Sequence, residues 1–280
     1  MSHGAIVSVM TDTAVRPAPT KPGGILHRYP VTSFAVLAIV PTWVVHFGFL
    51  VMGWEVFGAS LLQIVFMLGS AVFVTARIEG RPGVRRLFAG ALRWRFGFGR
   101  FAVALLAMPV LTLLIAASTG SLRTPDGGWG KEILGYLFLT LIYGALLGNL
   151  WEETAWAGFA QRRLMDRHGL LKGSLLTAIP FALIHVPLAF DNDGLAGTSG
   201  RDMAITWAVV FAVAPIFRYL FGTVLVDTGG SVLAVAVLHA SFNASQGLAS
   251  VRGQWQFGLA LLVLTAVTVA YRRWQGRPAV

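Results

Sequence analysis

The spacing of charged residues restricts the fold of this chain more than any other feature. Eight stretches of 18 to 24 residues run free of charge, apart from Arg218 within one of them. About 20 apolar residues suffice for a helix to cross the hydrocarbon core of a bilayer. The sequence therefore predicts an all-α, polytopic membrane bundle of about eight transmembrane helices. The stretches are 31–54, 56–76, 101–122, 133–151, 173–190, 203–226, 228–251 and 253–271.

The overall composition supports a membrane protein and narrows its chemistry. Of the 280 residues 56% are hydrophobic and 12% are charged, whereas soluble domains carry about 25% charged residues. The net charge of +10 lies mainly in short loops between apolar runs, which indicates orientation in a bilayer and not a nucleic-acid partner. The chain has no cysteine, so disulfides, thiolate metal sites and cysteine nucleophiles are excluded.

The loops alternate in charge, which predicts the topology. Seven arginines lie between residues 77 and 100, and basic clusters follow the fourth and eighth runs. Basic loops mark the cytoplasmic side, so both termini are predicted to be cytoplasmic in a multi-pass protein of the cell membrane. We expect residues 1–24 to be a flexible cytoplasmic tail and residues 25–280 to be a single transmembrane domain. The first run resembles a retained helix more than a signal peptide.

A few ionisable side chains lie inside the predicted spans, where each is a functional-site hypothesis because a charge in the bilayer is costly. Glu152, His185 and His239 lie roughly 15, 20 and 15 Å from the predicted cytoplasmic ends of their helices, counted at 1.5 Å per residue. Three such groups on three helices therefore converge on one layer. The full set is His46, Glu152, Glu153, His185, Arg218 and His239, with the amides Asn149 and Asn243.

Simpler interpretations exist for some of these residues. His46 lies near the outer end of the first span and away from the others, so we interpret it as an interhelical hydrogen-bonding group. Asn149 could likewise join helices. If the fourth helix ended at Trp151, Glu152 and Glu153 would be an ordinary solvated helix end.

Three motifs together resemble those of the CPBP family of intramembrane proteases, which includes CAAX-processing type II endopeptidases and bacterial Abi proteins. The segments are EETAWAGFAQRRL, FALIHVP and HASFN, and they resemble the family patterns E-E-x-x-x-R, F-x-x-x-H and H-x-x-x-N in the same order. The family residues here are Glu152, Glu153, Phe181, His185, His239 and Asn243. The resemblance covers about residues 130–250 and implies a protease-like core there.

One position departs from the family pattern. Ala157 stands where the family carries an arginine, four residues after Glu153. A buried carboxylate without a cation would destabilise its helix. Arg218 lies at a depth similar to that of Glu153, roughly 13 Å from the predicted cytoplasmic helix end, so we predict that it pairs with Glu153 across two helices. The alternative is that Arg218 lines a polar cavity or extends its side chain to the membrane surface.

The resemblance implies an intramembrane endopeptidase that acts near the cytoplasmic side of the membrane. Glu152 and His185 would activate a water molecule, and His239 with Asn243 would stabilise the oxyanion. For the metal, two options stay open. We favour water activation without a tightly bound cofactor, and the alternative is a zinc site formed by Glu152, His185 and His239.

Two other classes of function remain as alternatives. Intramembrane Glu, His and Arg also suit a proton-coupled transporter, although the sequence shows no internal symmetry. Ala157 keeps open a catalytically silent immunity or scaffolding protein. The expected partners are a peptide or membrane-protein substrate and the lipid bilayer, with no nucleic acid; the sequence leaves the substrate and the oligomeric state undetermined.

Overall fold

Within residues 24–277, eight longer helices, one for each predicted run, pack into a bundle. The computed structural model describes residues 24–277, so all but Gly24 of the predicted flexible tail lies outside the described residues. Regular structure in this range is helical, apart from an isolated bridge between Leu122 and Val251. The all-α prediction is therefore confirmed. The helices are α1 Pro30–Met52, α2 Phe57–Ala91, α3 Phe98–Ser118, α4 Gly128–His168, α5 Leu170–Ile184, α6 Gly200–Asp227, α7 Val232–Gln246 and α8 Trp255–Trp274; short helical turns lie at Ile25–Arg28, Val186–Phe190 and Gly194–Gly197.

Six of these helices are long and apolar enough to cross a membrane, whereas α5 and α7 are shorter than predicted, with 15 residues each. Helix α5 ends at Ile184 because Pro187 has no backbone N–H to continue the hydrogen-bond ladder. Helix α7 begins after Gly229 and Gly230, whose positive φ angles of 66° and 90° end the preceding turn. Helix α5 carries Phe181 and α7 carries His239 and Asn243, three of the predicted site residues.

Helix α4 is continuous through the two glutamates. It runs for 41 residues from Gly128 to His168, so the alternative that it ends at Trp151 is wrong. Two π-helical segments, Phe138–Asn149 and Thr154–Gln161, flank Glu152 and Glu153. Such widened turns occur frequently at functional sites.

Close packing joins α4 to α7 beside the site. A Cβ atom at Gly144 would lie 2.6 Å from the Cβ of Ala240 and 2.9 Å from the carbonyl oxygen of Leu139. Glycine therefore allows the two helix backbones to approach each other. Further along α4, the fully buried Trp156 packs edge-on against Phe34 of α1 and Phe181 of α5, with ring centroids 5.1 and 5.6 Å apart.

Helix α2 bends at its predicted cytoplasmic end. Gly80 takes φ 64° and ψ −163°, and Pro82 follows within the same helix, which accounts for the kink. Glu79, just before the bend, forms an ion pair with Arg163 of α4 and another with Arg86, the latter at 2.9 Å. These contacts connect α2 to the helix that carries the two glutamates.

The outer surface of the bundle is apolar. Large hydrophobic side chains are exposed on successive helices, among them Val44, Val65, Leu114 and Leu147. An exposed apolar surface of this kind is stable in contact with lipid and not in contact with water. The chain is a multi-pass membrane protein.

Candidate active site

Glu153 and Arg218 form a fully buried ion pair between α4 and α6. Arg218 donates from Nη1 to both carboxylate oxygens of Glu153, at 3.0 and 2.9 Å. The guanidinium also lies over the rings of Phe181 and Phe221, 5.0 and 5.1 Å from their centroids. The predicted pairing is present in the structure, and the cation missing at Ala157 is supplied from another helix.

Gln161 holds Arg218 in place, and the sequence analysis did not identify this role. Its side-chain oxygen accepts a hydrogen bond from Arg218 Nη2, while its Nε2 donates to the Arg218 carbonyl at 2.6 Å and to Ser174 Oγ at 3.1 Å. A Cβ atom at Gly222 would lie 2.7 Å from both Gln161 Nε2 and Ser174 Oγ. In the sequence Gln161 ends the stretch 154–160 and directly precedes Arg162 and Arg163, so it resembles the start of the basic segment.

His239 completes the buried group. Its Nδ1 lies 2.9 Å from Glu153 Oε1, so it shares an oxygen that Arg218 also contacts. Phe217 and Phe221 pack against the imidazole, with ring centroids 5.0 and 5.2 Å away. These contacts fix the ring orientation.

Glu152 and His185 form a second, looser pair. Glu152 Oε1 lies 3.9 Å from His185 Nε2, which is beyond direct hydrogen-bond distance. That oxygen is buried and has no hydrogen-bond partner among the described residues. The other carboxylate oxygen is 3.4 Å from Asn149 Nδ2.

The His185 ring is oriented by its own helix. Its Nδ1 lies 2.6 Å from the Phe181 carbonyl oxygen, and the two ring centroids are 4.6 Å apart. The packing of Phe181 against His185 is therefore confirmed. Because a carbonyl can only accept, Nδ1 carries the proton in the neutral ring, and Nε2 faces Glu152 with a lone pair.

The chain around His185 leaves the helical path and receives hydrogen bonds from two tryptophans that the sequence analysis did not identify. Trp43 of α1 donates to the Leu183 carbonyl, and Trp207 of α6 donates to the Val186 carbonyl, each at 2.9 Å. These bonds satisfy carbonyl groups exposed by the end of α5. They hold the backbone on both sides of His185.

His46 lies apart from this group and has its own partner. It is buried, and its Nε2 lies 2.6 Å from Oδ1 of Asp191, which follows the short helix Val186–Phe190. His46 therefore joins α1 to the connection after α5, in agreement with the interpretation as a hydrogen-bonding group away from the other site residues. The reason is that α5 ends early, so the loop enters the bundle at the level of His46.

A cavity of about 600 Å³ opens between α2, α4 and α7, and Asn149, Glu152 and Asn243 contribute to its wall. Exposed apolar residues such as Tyr143 and Leu147 form the side of the cavity that faces the surrounding lipid. The cavity therefore joins a polar end at Glu152 to an apolar opening. Glu153 and His239 lie behind it, since neither contributes to its wall.

The metal-ligating geometry differs from the predicted zinc set. Among the residues that the structure describes, three could offer metal ligands within 4.8 Å of one another: Glu152, Glu153 and His239. Glu153 thus takes the place of His185 in the predicted set. Both oxygens of Glu153 already contact Arg218. A dication would have to displace or oppose that guanidinium, so this arrangement does not fit a zinc site.

Comparison with known proteins covers the part of the chain that contains this group. Residues 134–245 match the family model described as type II CAAX prenyl endopeptidase Rce1-like. A 98-residue segment is 34% identical to a protein from Methanococcus maripaludis named CAAX prenyl protease 2, which corresponds to 32% of this chain and 35% of that protein. The chain thus matches about a third of the length of this relative.

Proposed function

We propose that this chain is an intramembrane endopeptidase of the type II CAAX prenyl endopeptidase kind, which the match of residues 134–245 to the Rce1-like family model supports. It hydrolyses a peptide bond within the membrane, near the cytoplasmic side, with Glu152 and His185 as the groups that activate water. One observation carries the assignment: a buried Glu152 oxygen without a hydrogen-bond partner, 3.9 Å from His185 Nε2, in a residue that lines a cavity. A carboxylate and an imidazole at this separation can hold one water molecule between them.

The chemistry follows from the protonation pattern of these groups. The water oxygen attacks the scissile carbonyl carbon while Glu152 accepts a proton, and His185 Nε2 accepts the second hydrogen bond from the same water. The carbonyl π-electrons move to oxygen and form the tetrahedral oxyanion. When the C–N bond breaks, the leaving nitrogen takes the proton from Glu152. General acid–base catalysis of this kind contributes about 10²–10⁴-fold to a rate.

Asn243 is the proposed donor to the oxyanion, because it lies on the cavity wall with Glu152. His239, which the family resemblance makes the second oxyanion donor, does not line the cavity, and its Nδ1 is directed at Glu153. In this scheme it positions Glu153. Oxyanion donors are effective when they are held in position before the reaction.

Glu153 and Arg218 act as positioning residues in this scheme. Neither lines the cavity, and their charges neutralise each other at the back of the site. The family arginine that Ala157 replaces is therefore compensated in position and charge, which weakens the argument for a catalytically silent scaffold. Arg218 also has a fixed partner here, unlike a group in a transport pathway, which must change partners.

The shape of the cavity favours a substrate that reaches the site from the bilayer. Its outer wall is apolar, and its inner end carries Glu152 and the two amides. A membrane-embedded peptide or protein segment can place apolar groups against the outer wall and its backbone at the polar end. The substrate is thus proposed to be a peptide or membrane-protein segment.

Cleavage of a quenched peptide library by purified protein in detergent tests this proposal. We expect Glu152→Gln to lower the cleavage rate at least 100-fold while leaving thermal stability close to that of the wild type. Glu55→Gln, the same chemical change in an exposed loop, is the matched control and should cleave normally. A wild-type cleavage rate in Glu152→Gln would overturn the assignment. A zinc chelator, added to each protein, should leave its cleavage rate unchanged.

A further inference from the structure

A second large cavity lies away from the candidate active site, in a groove between α3, α6 and α8. Its volume is about 650 Å³. Apolar side chains of the three helices form most of its wall, including Val103, Leu220, Leu264 and Val267. Val103 and Val267 are exposed at the outer surface, so the groove is open to the hydrocarbon region of the bilayer. It shares no residue with the cavity at Glu152.

One end of the groove is basic. Arg100, Arg272 and Arg277 line this end together with one acid, Asp227. Arg272 and Arg277 both contact Asp227 Oδ1, at 2.8 and 3.2 Å. One carboxylate therefore faces three guanidinium groups, and the end of the groove keeps an excess of positive charge.

Two of these arginines can contact a further anion. Arg277 is exposed, and it shares the Asp227 Oδ1 atom with Arg272, so this carboxylate does not occupy all of its donors. Arg100 is also exposed, with one donor directed to the Phe96 carbonyl at 3.0 Å. A guanidinium has five N–H donors, so both retain donors for an anionic oxygen.

The basic end lies where lipid headgroups are expected. It is formed by the start of α3 and the ends of α6 and α8, all on the predicted cytoplasmic side. Tyr271 lines the groove at this level, and Trp274 is exposed one turn further along α8. Aromatic residues of this kind concentrate at membrane–water interfaces.

We propose that this groove binds an anionic glycerophospholipid of the cytoplasmic leaflet. Its phosphate lies between Arg100 and Arg277, and one acyl chain lies along the apolar wall between α3, α6 and α8. Charge complementarity selects an anionic headgroup, because a zwitterionic one brings its own cation to an end that is already basic. Basic pockets between transmembrane helices on the cytoplasmic side have this chemistry.

The bound chain would also support the helix that carries Arg218. Leu220, Thr223 and Val224 line the groove and follow Arg218 within two turns of α6. Lipid in the groove would therefore pack directly behind the segment that presents the guanidinium to Glu153. This binding is independent of whether the protein cleaves peptides.

Lipid retention by the purified full chain tests the proposal. Protein in detergent is incubated with equimolar dioleoylphosphatidylglycerol and dioleoylphosphatidylcholine, and the retained lipids are counted by native mass spectrometry. The charge variant is Arg100→Gln with Arg277→Gln. The steric variant is Ala107→Trp, which places a large ring in the groove. Size-exclusion profiles verify that each variant is folded.

Matched controls separate the groove from general surface effects. Arg81→Gln with Arg95→Gln removes two exposed arginines outside the groove, one near the end of α2 and one in the loop before α3. Ala102→Trp adds the same ring on another face of α3. We expect the wild type and both controls to retain phosphatidylglycerol at least fivefold over phosphatidylcholine. The charge variant should lose this preference, and the steric variant should lose retention of both lipids. Wild-type retention in either groove variant overturns the proposal.

Discussion

Replacing Arg218 with methionine removes the cation beside Glu153 while keeping a long, unbranched side chain in the same space. Glu153 then remains fully buried with His239 as its sole partner among the contacts described. The same change leaves the oxygen of Gln161 without the Arg218 donor. We therefore expect a large loss of stability, although neither Glu153 nor Arg218 lines the cavity.

The magnitude follows from the geometry of the pair. Two unit charges about 3 Å apart interact by roughly 5 to 6 kcal/mol at an effective dielectric constant of about 20. Measured losses from removing one partner of a buried pair are about 3–5 kcal/mol. We expect Arg218→Met to lower the free energy of unfolding by a similar amount. Arg86→Met is the control: its side chain is 68% exposed in a pair with Glu79, so it should cost less than about 1 kcal/mol.

Reversible unfolding in mixed detergent micelles, followed by tryptophan fluorescence, measures these differences. The informative comparison is a double-mutant cycle with Glu153→Gln, which removes the buried charge itself. The double variant should be about 2–3 kcal/mol more stable than the sum of the two single losses predicts. Additive losses, or a loss in Arg218→Met no larger than in Arg86→Met, would refute the claim that this pair holds the site together.

Three further outcomes are expected. Gly144→Ala forces α4 and α7 apart and should cost about 1–3 kcal/mol in unfolding free energy. Gly148→Ala is the control and should cost less, because its added Cβ meets nothing closer than 3.7 Å. Equal losses would count against close helix packing. Gln161→Leu leaves the Arg218 Nη2 donor without its acceptor and should cost about 1–3 kcal/mol in the same assay. Wild-type stability in this variant would contradict the role of the amide. Trp207→Phe removes a donor that holds the backbone beside His185, the proposed water-activating histidine. Peptide cleavage should therefore fall about tenfold with a smaller effect on stability, and an unchanged cleavage rate would contradict this role.

The sequence by itself determined the helical class, the number of helices and the region of the site. Long charge-free runs have few stable structures in a bilayer other than helices, because each backbone polar group must be satisfied within its own segment. Counting residues from the cytoplasmic helix ends also predicted that Glu152, His185 and His239 lie at a similar depth in the membrane. The partner of Glu153 followed from the same reasoning, since a buried carboxylate requires a nearby cation.

The tertiary structure decided the details that depend on how neighbouring helices are placed. The ends of α5 and α7 are set by Pro187 and the Gly229–Gly230 turn, and charge spacing does not record such local breaks. Glu152 lines the cavity, whereas Glu153 lies behind it with Arg218 and His239. This separation arises only from packing, because adjacent residues of a helix point in different directions. For the same reason the roles of Gln161, Trp43 and Trp207 depend on contacts 13 to 140 residues away along the chain, which no local sequence pattern specifies.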